Sequence, residues 1–289
     1  MIDVEGVTRR FGSREVVKDV SWHLPRGTLC ALVGPDGAGK TTLLRMLAGV
    51  LTPTTGTVRI GGSWGYMPQR FSLYEECTVE ENMALFGALQ GLPKDELRRR
   101  SSELLRRHDL LSFRERLAGK LSGGMKQKLA LSVALLPDPE VIILDEPGTG
   151  VDPVSRREIW RALYGMHREG RTIVVATPSM DEAQLCSFLI FLSRGRVREQ
   201  GTPEALCAAY PLTILRLAVP GRRNLKTLLE ACSFEECHAF GTAWHLAVRH
   251  EEAARKTLEE ALQRAGIASY ELSRISPSLE DVFIRWEEG

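Results

Sequence analysis

A glycine-rich segment near the N-terminus has the residue types and spacing of a phosphate-binding loop. It fits the pattern G-x-x-x-x-G-K-S/T and consists of Gly34, Pro35, Asp36, Gly37, Ala38, Gly39, Lys40 and Thr41, followed by Thr42. Glycines let backbone N–H groups turn towards an anion, Lys40 adds a positive charge, and Thr41 adds a hydroxyl suited to Mg²⁺. Because a strand-like apolar run precedes the loop and a helical pattern follows it, the segment predicts a site for a nucleotide polyphosphate.

A pair of acidic residues follows a second apolar run. Val141 to Leu144 have the length and composition of a buried strand, and Asp145, Glu146 and Pro147 come directly after them. Ligands bind at the carboxyl ends of parallel strands, so we expect Asp145 to hold Mg²⁺ through water and Glu146 to polarise an attacking water. Alone, the pair could be a helix cap with Pro147 as its turn. Beside a phosphate loop, it favours hydrolysis.

A third motif, Leu121-Ser122-Gly123-Gly124-Met125-Lys126-Gln127, opens a helical pattern. Its helix start supplies a second set of backbone N–H donors, which the phosphate loop does not itself need. Two helix starts suited to a nucleotide in one chain indicate that one of them serves a partner.

These motifs, in their order, resemble the ATP-binding cassette of ABC transporters over about residues 2 to 210. The resemblance implies an α/β P-loop NTPase fold with a mainly parallel core sheet, an antiparallel β subdomain and a helical subdomain. It also implies ATP and Mg²⁺ as cofactors, and a dimer in which each cassette faces the nucleotide bound to the other. Separate membrane subunits would carry the transported molecule.

Further positions match the family residue by residue. Phe11 matches the aromatic that stacks on adenine, Gln69 the glutamine that contacts Mg²⁺ and water, and Asp152 the aspartate loop at the dimer interface. Ser122 and Gly124 match contacts to the γ-phosphate bound to the opposing subunit. The implied catalytic residues are Glu146 and Gln69; the implied Mg²⁺ ligands are Thr41, Gln69 and Asp145; the implied nucleotide-binding residues are Phe11, Gly34, Pro35, Asp36, Gly37, Ala38, Gly39, Lys40, Thr41, Thr42, Ser122, Gly123, Gly124, Gln127 and Asp152.

Three longer segments are similar to ABC-2 type efflux ATPases, which export drugs or ions. They are Gly34 to Thr42, Pro147 to Pro153 and Pro277 to Phe283. This likeness implies ABC-2 type transmembrane permease subunits and a second cassette as partners, at the cytoplasmic face of the cell membrane. It also implies a small C-terminal domain.

Pro178 stands where the family has a histidine. Proline has no imidazole and no N–H, so the γ-phosphate contact made there is lost and we expect a rate lower by ~10² to 10³. Glu146 remains, and Thr177 or Ser179 could partly compensate; a tolerated change in an active site is the alternative. Gly148, which replaces a residue that is usually hydroxylated, is expected to weaken the dimer interface. With the signature intact, our hypothesis is a heterodimer with a histidine-bearing cassette; a homodimer and a non-hydrolysing regulatory subunit are the alternatives.

The elements that must position these residues follow an α/β pattern. Leu29 to Val33, Val141 to Leu144 and Thr172 to Val175 predict central strands, and residues 79 to 136 predict a helical subdomain without strands. The cassette is predicted to end at residue 211. Residues 212 to 289 then show a βαββαβ order, typical of a ferredoxin-like α+β domain, with its first helix starting at Asn224.

The composition of the chain excludes some classes of binding partner. The formal net charge is +1, so no strong field attracts nucleic acid, and the run Arg98 to Arg100 alternates with acids as a solvated helix face does. No apolar run has the length of a membrane helix, the N-terminus lacks a secretory signal, and six dispersed cysteines fit a reducing compartment. We therefore expect no nucleic-acid partner and no membrane-spanning segment, and the peripheral location at the membrane is what the resemblance implies.

Overall fold

The structure, a computed structural model, describes residues 1–221 and 225–288. The chain divides into two compact units, Met1–Gly201 and Thr202–Gly289. The boundary predicted at residue 211 lies later than this division, because the helix Pro203–Ala208 packs within the second unit. As a functional division, the boundary at residue 211 stays a prediction. Within the described ranges, no helix is long and apolar enough to cross a membrane.

The first unit alternates strands and helices along the chain. Its strands are β1 (Ile2–Phe11), β2 (Arg14–Leu24), β3 (Leu29–Val33), β4 (Thr55–Ile60), β5 (Trp64–Met67), β6 (Val141–Asp145), β7 (Thr172–Ala176), β8 (Phe188–Ser193) and β9 (Arg196–Gly201). Its helices are α1 (Lys40–Leu47), α2 (Val79–Leu89), α3 (Lys94–Arg107), α4 (Gly123–Ala134), α5 (Pro153–Arg168) and α6 (Met180–Ala183).

A six-stranded sheet in the order β5-β6-β7-β3-β8-β9 forms the centre of this unit. It is parallel except for β9, which pairs antiparallel with β8. Strands β3, β6 and β7 are buried over their whole length, which confirms the central strands predicted from their apolar runs. The carboxyl ends of β3, β5, β6 and β7 therefore lie at one edge, where the phosphate loop, Gln69, the acidic pair and Pro178 follow them.

A three-stranded antiparallel sheet in the order β2-β1-β4 packs on the same core. Alternate side chains of β1 and β2, such as Val4 and Trp22, point inwards and join Leu43 and Leu47 of α1 in one buried cluster. This sheet confirms the antiparallel subdomain, and α1 is held between the two sheets immediately after the phosphate loop.

Helices α2, α3 and α4 form the helical segment, and residues 79–134 contain no strand. Thr78 and Glu81 form a capping box that fixes the start of α2. The prediction that Arg98 to Arg100 are all solvated is wrong for Arg100. Its guanidinium is largely buried and donates to the carbonyls of Leu135 and Leu136. These carbonyls follow the end of α4, where a helix supplies no N–H donors of its own.

The second unit begins with α7 (Pro203–Ala208) and then has a βαββαβ core. The core elements are β10 (Thr213–Ala218), α8 (Lys226–Glu230), β11 (Glu236–Phe240), β12 (Ala243–Val248), α9 (Glu251–Arg264) and β13 (Glu271–Ile275), and α10 (Leu279–Glu288) follows. The sheet order β11-β12-β10-β13, antiparallel throughout, confirms the ferredoxin-like arrangement. The predicted helix start at Asn224 lies outside the described residues.

Candidate functional site

The phosphate loop has a conformation that requires glycine at two positions. Gly34 has a φ of +153°, and a Cβ there would lie 2.0 Å from the carbonyl oxygen of Leu192. Gly39, with a φ of +108°, would place a Cβ 2.9 Å from the carbonyl oxygen of Val16. Only glycine fits these close approaches, so the loop wraps tightly ahead of α1 and turns the first N–H groups of that helix towards the sheet edge.

Lys40 lies at the start of α1 and is 5% exposed. Its Nζ donates to the carbonyl oxygens of Gly34 and Pro35 at 2.7 and 3.1 Å. The loop thus holds the ammonium group against its own backbone, where the positive charge and the N-terminus of α1 favour an anion together.

Thr41 and Asp145 meet at the end of β6, as the sequence predicts for two Mg²⁺ ligands. The Thr41 hydroxyl donates to Oδ1 of Asp145 at 3.2 Å. Burial raises the pKa of Asp145, which is 0% exposed, and the Thr41 hydrogen bond opposes this rise. The other oxygen, Oδ2, is buried and has no hydrogen-bond partner among residues 1–221 and 225–288. A cation bound at that oxygen would relieve the cost of an unpaired buried carboxylate, so these residues fit Mg²⁺.

Glu146 and Gln69 are brought together by the pairing of β5 with β6. Met67 lies opposite Leu144, so Gln69, just beyond β5, reaches the residue just beyond β6. The Gln69 Nε2 donates to Oε2 of Glu146 at 2.9 Å. Glu146 is 7% exposed and has a φ of 52°, a left-handed conformation that is strained for a residue with a side chain. The two implied catalytic residues are therefore in direct contact.

The sequence did not single out Thr149. Its hydroxyl donates to the same Glu146 oxygen as Gln69, at 3.1 Å. The contact could have been predicted from the spacing, because a tight turn brings a hydroxyl close to an acidic residue three positions before it. Sequence reasoning treated Thr149 only as part of the segment Pro147 to Pro153.

The signature and the aspartate loop lie against each other within this chain. Ser122 caps α4 by accepting a hydrogen bond from the N–H of Met125, and a Cβ on Gly124 would lie 2.3 Å from the Oγ of Ser155. Asp152 caps α5, and hydrogen bonds led by the one from the N–H of Ser155 lower its pKa. Gly123 begins α4, and Gln127, one turn further along, is partly buried.

No hydrogen bond among the described residues joins Ser122, Gly123, Gly124, Gln127 or Asp152 to Lys40, Thr41 or Glu146. The site residues thus form two groups. One comprises the phosphate loop with the acidic pair and Gln69, and the other comprises the signature with Asp152.

Phe11 ends β1 and is 48% exposed, with the guanidinium of Arg9 4.6 Å from the centre of its ring. A cavity of about 800 Å³ lies beside it, bounded by the turn between β1 and β2 and by the phosphate loop. Its lining residues are Arg10, Gly12, Ser13, Arg14, Glu15, Val16, Lys18, Gly37 and Arg194. An exposed aromatic next to a basic cavity that reaches the phosphate loop could accommodate a base and ribose.

Pro178 is exposed and follows Thr177, which is fully buried. The Thr177 hydroxyl donates to the carboxylate of Glu182 at 2.5 Å, so its proton is already used within the chain. The Ser179 hydroxyl accepts a hydrogen bond from the N–H of Glu182 as the cap of α6, and its own proton remains to donate.

The same Glu182 carboxylate leaves no room for a side chain at position 148, where the chain has glycine. A Cβ at Gly148 would lie 2.6 Å from Oε1 of Glu182, which also faces the guanidinium of Arg156. The Arg156 guanidinium donates in turn to the carbonyl of Gly148. The space that a hydroxylated side chain would need is therefore filled by the buried carboxylate of Glu182 and the exposed guanidinium of Arg156.

Comparison with known proteins agrees with this architecture. Residues 17–149 match the family model described as ABC transporter. The chain is 36% identical to the probable multidrug ABC transporter ATP-binding protein YbhF of Escherichia coli (strain K12), covering 98% of this chain and 51% of that protein. It is 33% identical to the Nod factor export ATP-binding protein I of Ralstonia nicotianae, covering 99% of this chain and 93% of that protein. The chain thus spans about half the length of YbhF and nearly all of the second relative.

The fold also matches a solved dimeric structure of the ATP-binding cassette MJ0796 in a post-hydrolysis state bound to ADP and Pi. The match has a TM-score of 0.65 and 26% identity, and it covers 70% of this chain and 98% of that one. Because the second relative is matched over nearly its whole length at more than 30% identity, and because the cassette geometry agrees, this chain belongs to the ABC transporter family as one of its ATP-binding cassettes.

Proposed function

We propose that this chain binds Mg-ATP and hydrolyses it as the ATP-binding subunit of an export complex. The observation that carries the proposal is the meeting of three features at one sheet edge: the loop that holds Lys40, the Thr41–Asp145 pair, and the Gln69–Glu146 pair. A phosphate cradle next to a buried, incompletely paired carboxylate and a second carboxylate suited to accept a proton is the arrangement that phosphoanhydride hydrolysis requires.

Each residue has a defined part in the proposed reaction. Lys40 and the N–H groups at the start of α1 bind the phosphates, and Thr41, Asp145 and Gln69 would hold Mg²⁺. When bound, Mg²⁺ would neutralise charge on the phosphate oxygens. Glu146 accepts a proton from the attacking water, and Phe11 stacks on the base.

Two cassettes would complete each nucleotide site. Ser122 and Gly124 would approach the γ-phosphate held by the opposing cassette, with Asp152 at the interface between them. Their separation from the phosphate loop within one chain supports a role towards a partner. The MJ0796 cassette was solved as a dimer, and this supports the same arrangement here.

The transport partners proposed are ABC-2 type permease subunits, which would hold the chain at the cytoplasmic face of the membrane. One relative is a Nod factor export protein and the other is a probable multidrug transporter, and the first of these supports export. A drug-like molecule or an ion is the proposed class of cargo. Selectivity would belong to the membrane subunits.

The site is proposed to hydrolyse ATP slowly because of Pro178. Neither this residue nor the buried Thr177 offers a donor to a γ-phosphate. We therefore propose that a histidine-bearing cassette pairs with this chain in a heterodimer. The alternative is a regulatory subunit that binds ATP without turning it over, which Pro178 favours and the intact Gln69–Glu146 pair opposes.

Steady-state Mg-ATPase activity of the purified chain tests the proposal, with Glu146→Gln as the blank and Pro178→His beside it. The proposal expects wild type above the blank and a gain of ~10² in the histidine variant. Wild type well above the blank with no gain from histidine would leave a self-sufficient ATPase and remove the argument for a heterodimer. Activity at the blank in both proteins would support the regulatory alternative.

A further inference from the structure

Thr149 is tied to Glu146 by two hydrogen bonds. Its backbone N–H donates to the carbonyl of Glu146 at 3.1 Å, which closes a turn. The turn brings the Thr149 hydroxyl to Oε2 of the Glu146 carboxylate, also at 3.1 Å. The side-chain contact is therefore built on a fixed backbone contact, and it does not depend on a long, freely rotating side chain.

The second donor to this carboxylate comes from another strand. Gln69, beyond β5, donates to the same Oε2 at 2.9 Å. Among the described residues, both side-chain hydrogen bonds to the Glu146 carboxylate end on Oε2. Rotation about the terminal bond of a glutamate is soft, so two donors that converge on one oxygen define which way the other oxygen faces.

We propose that Thr149 is a positioning residue for the general base. Its hydroxyl and the Gln69 amide hold Oε2 of Glu146 and leave Oε1 oriented to accept the proton of the attacking water. This inference rests on the proposed hydrolytic function. It assigns a role to a hydroxyl in the aspartate loop that is not among the implied nucleotide-binding or Mg²⁺-binding residues, and it links that loop to the base within the same chain.

The position suits a clean test because Thr149 is exposed, so its replacement removes a hydrogen bond without opening a cavity. Valine has nearly the shape of threonine and lacks the hydroxyl, whereas serine keeps it. Thr257, exposed on α9 with its hydroxyl on the carbonyl of Ala253, provides a matched control. The variants are Thr149→Val, Thr149→Ser and Thr257→Val.

The readouts are kcat and KM for Mg-ATP together with Tm. Thr149→Val is expected to lower kcat by about 3- to 10-fold with KM within about 2-fold, because the loss falls on orientation at the reacting centre. Thr149→Ser is expected to restore most of the lost kcat, and Thr257→Val to change neither constant. All three variants should keep the wild-type Tm within about 2 °C.

A double-mutant cycle with Glu146→Asp, which keeps a carboxylate base but shortens it away from the Thr149 hydroxyl, separates positioning from any independent effect. If Thr149 acts through the base, Thr149→Val causes no further loss of the residual kcat in the Glu146→Asp background. A further loss there, a drop in Tm that parallels kcat, or wild-type kcat in Thr149→Val would overturn the positioning role while leaving hydrolysis intact. A wild-type rate equal to the Glu146→Gln blank would instead remove the proposed function, and the inference with it.

Discussion

At the level of single residues, the carboxylates of Asp145 and Asp152 differ in burial. Asp145 is buried with one oxygen unpaired, and burial raises its pKa, whereas Asp152 is exposed and backbone hydrogen bonds lower its pKa. A bound cation would therefore stabilise the first, whereas the second is already satisfied by the helix that it caps.

Asp145→Asn is expected to abolish most of the Mg²⁺-dependent part of the thermal stabilisation by ATP. Asparagine can still accept the Thr41 hydroxyl, but it supplies no negative charge to a cation. In wild type, a ligand at ~100 times its Kd adds about 2.7 kcal/mol to the free energy of unfolding. Tm measured with ATP, in the presence and absence of Mg²⁺, provides the check. An undiminished Mg²⁺ effect in the variant would contradict the assignment.

His108 provides a second prediction, on stability against pH. It is 5% exposed, its Nδ1 hydrogen-bonds to Oγ of Ser132 at 2.7 Å, and burial lowers its pKa to about 4. Because the folded-state pKa lies below the ordinary value of about 6.5, the unfolded chain binds the extra proton first. Stability is therefore fully present above about pH 6.5 and is lost as the pH falls towards 4, by up to about 3 kcal/mol.

The measurement is urea unfolding between pH 7 and pH 4 for wild type and His108→Asn. Asparagine keeps a donor for Ser132 and does not titrate, so its stability should fall less over this range. The hydrogen bond from Arg100, together with other contacts, lowers the pKa of Asp138 to about 2. Protonation of Asp138 therefore changes the stability of both proteins only below about pH 4. Parallel pH profiles for the two proteins would exclude His108 as the source.

At the level of elements, close packing of α4 against α5 fixes the position of the signature motif. Gly124 lets α4 approach the start of α5, and Lys128 of α4 pairs with Glu158 of α5 at 2.5 Å further along. The signature and Asp152 therefore belong to one packed pair of helices.

Gly124→Ala and Gly123→Ala are expected to differ in stability although they are neighbours. A Cβ at Gly124 meets the Oγ and Cβ of Ser155 at 2.3 and 2.5 Å, whereas at Gly123 the nearest atom, the carbonyl oxygen of Gly150, is at 3.4 Å. The first variant should lose about 1–3 kcal/mol from overpacking, and the second should stay within about 0.5 kcal/mol of wild type. Chemical denaturation decides between them, and equal losses would refute the packing argument.

Strands and motifs could be predicted from the sequence because their signals are local. The apolar runs of β3, β6 and β7 and the order of the second unit follow from patterns within each segment. Contacts between distant segments could not be predicted in this way. Arg100 on the carbonyls that end α4 and Glu182 against Gly148 depend on how the elements pack.

At the scale of the whole molecule, each of the two units has its own main hydrophobic cluster among the described residues. One buried cluster joins the sheets of the first unit, and another joins Leu215 and Leu246 of the second unit to Leu258 of α9. A domain with its own core can unfold on its own. Calorimetry is therefore expected to resolve two transitions, of which one belongs to the unit that contains the phosphate loop.

Leu258→Ala and Mg-ATP should act on different transitions. Leu258 is 0% exposed, and its truncation is expected to cost the second unit about 2–5 kcal/mol, because the cavity is left in that core alone. The proposed site for Mg-ATP is the loop that precedes α1, so the nucleotide should raise the temperature of the other transition only. Truncation of Leu262, which is also 0% exposed on α9, repeats the test at a second position. A substitution at Thr257, which is exposed, serves as the control that should leave both transitions unchanged. If one transition responds to both the substitution and the nucleotide, the two cores unfold together, and the ferredoxin-like unit then contributes directly to the stability of the ATP site.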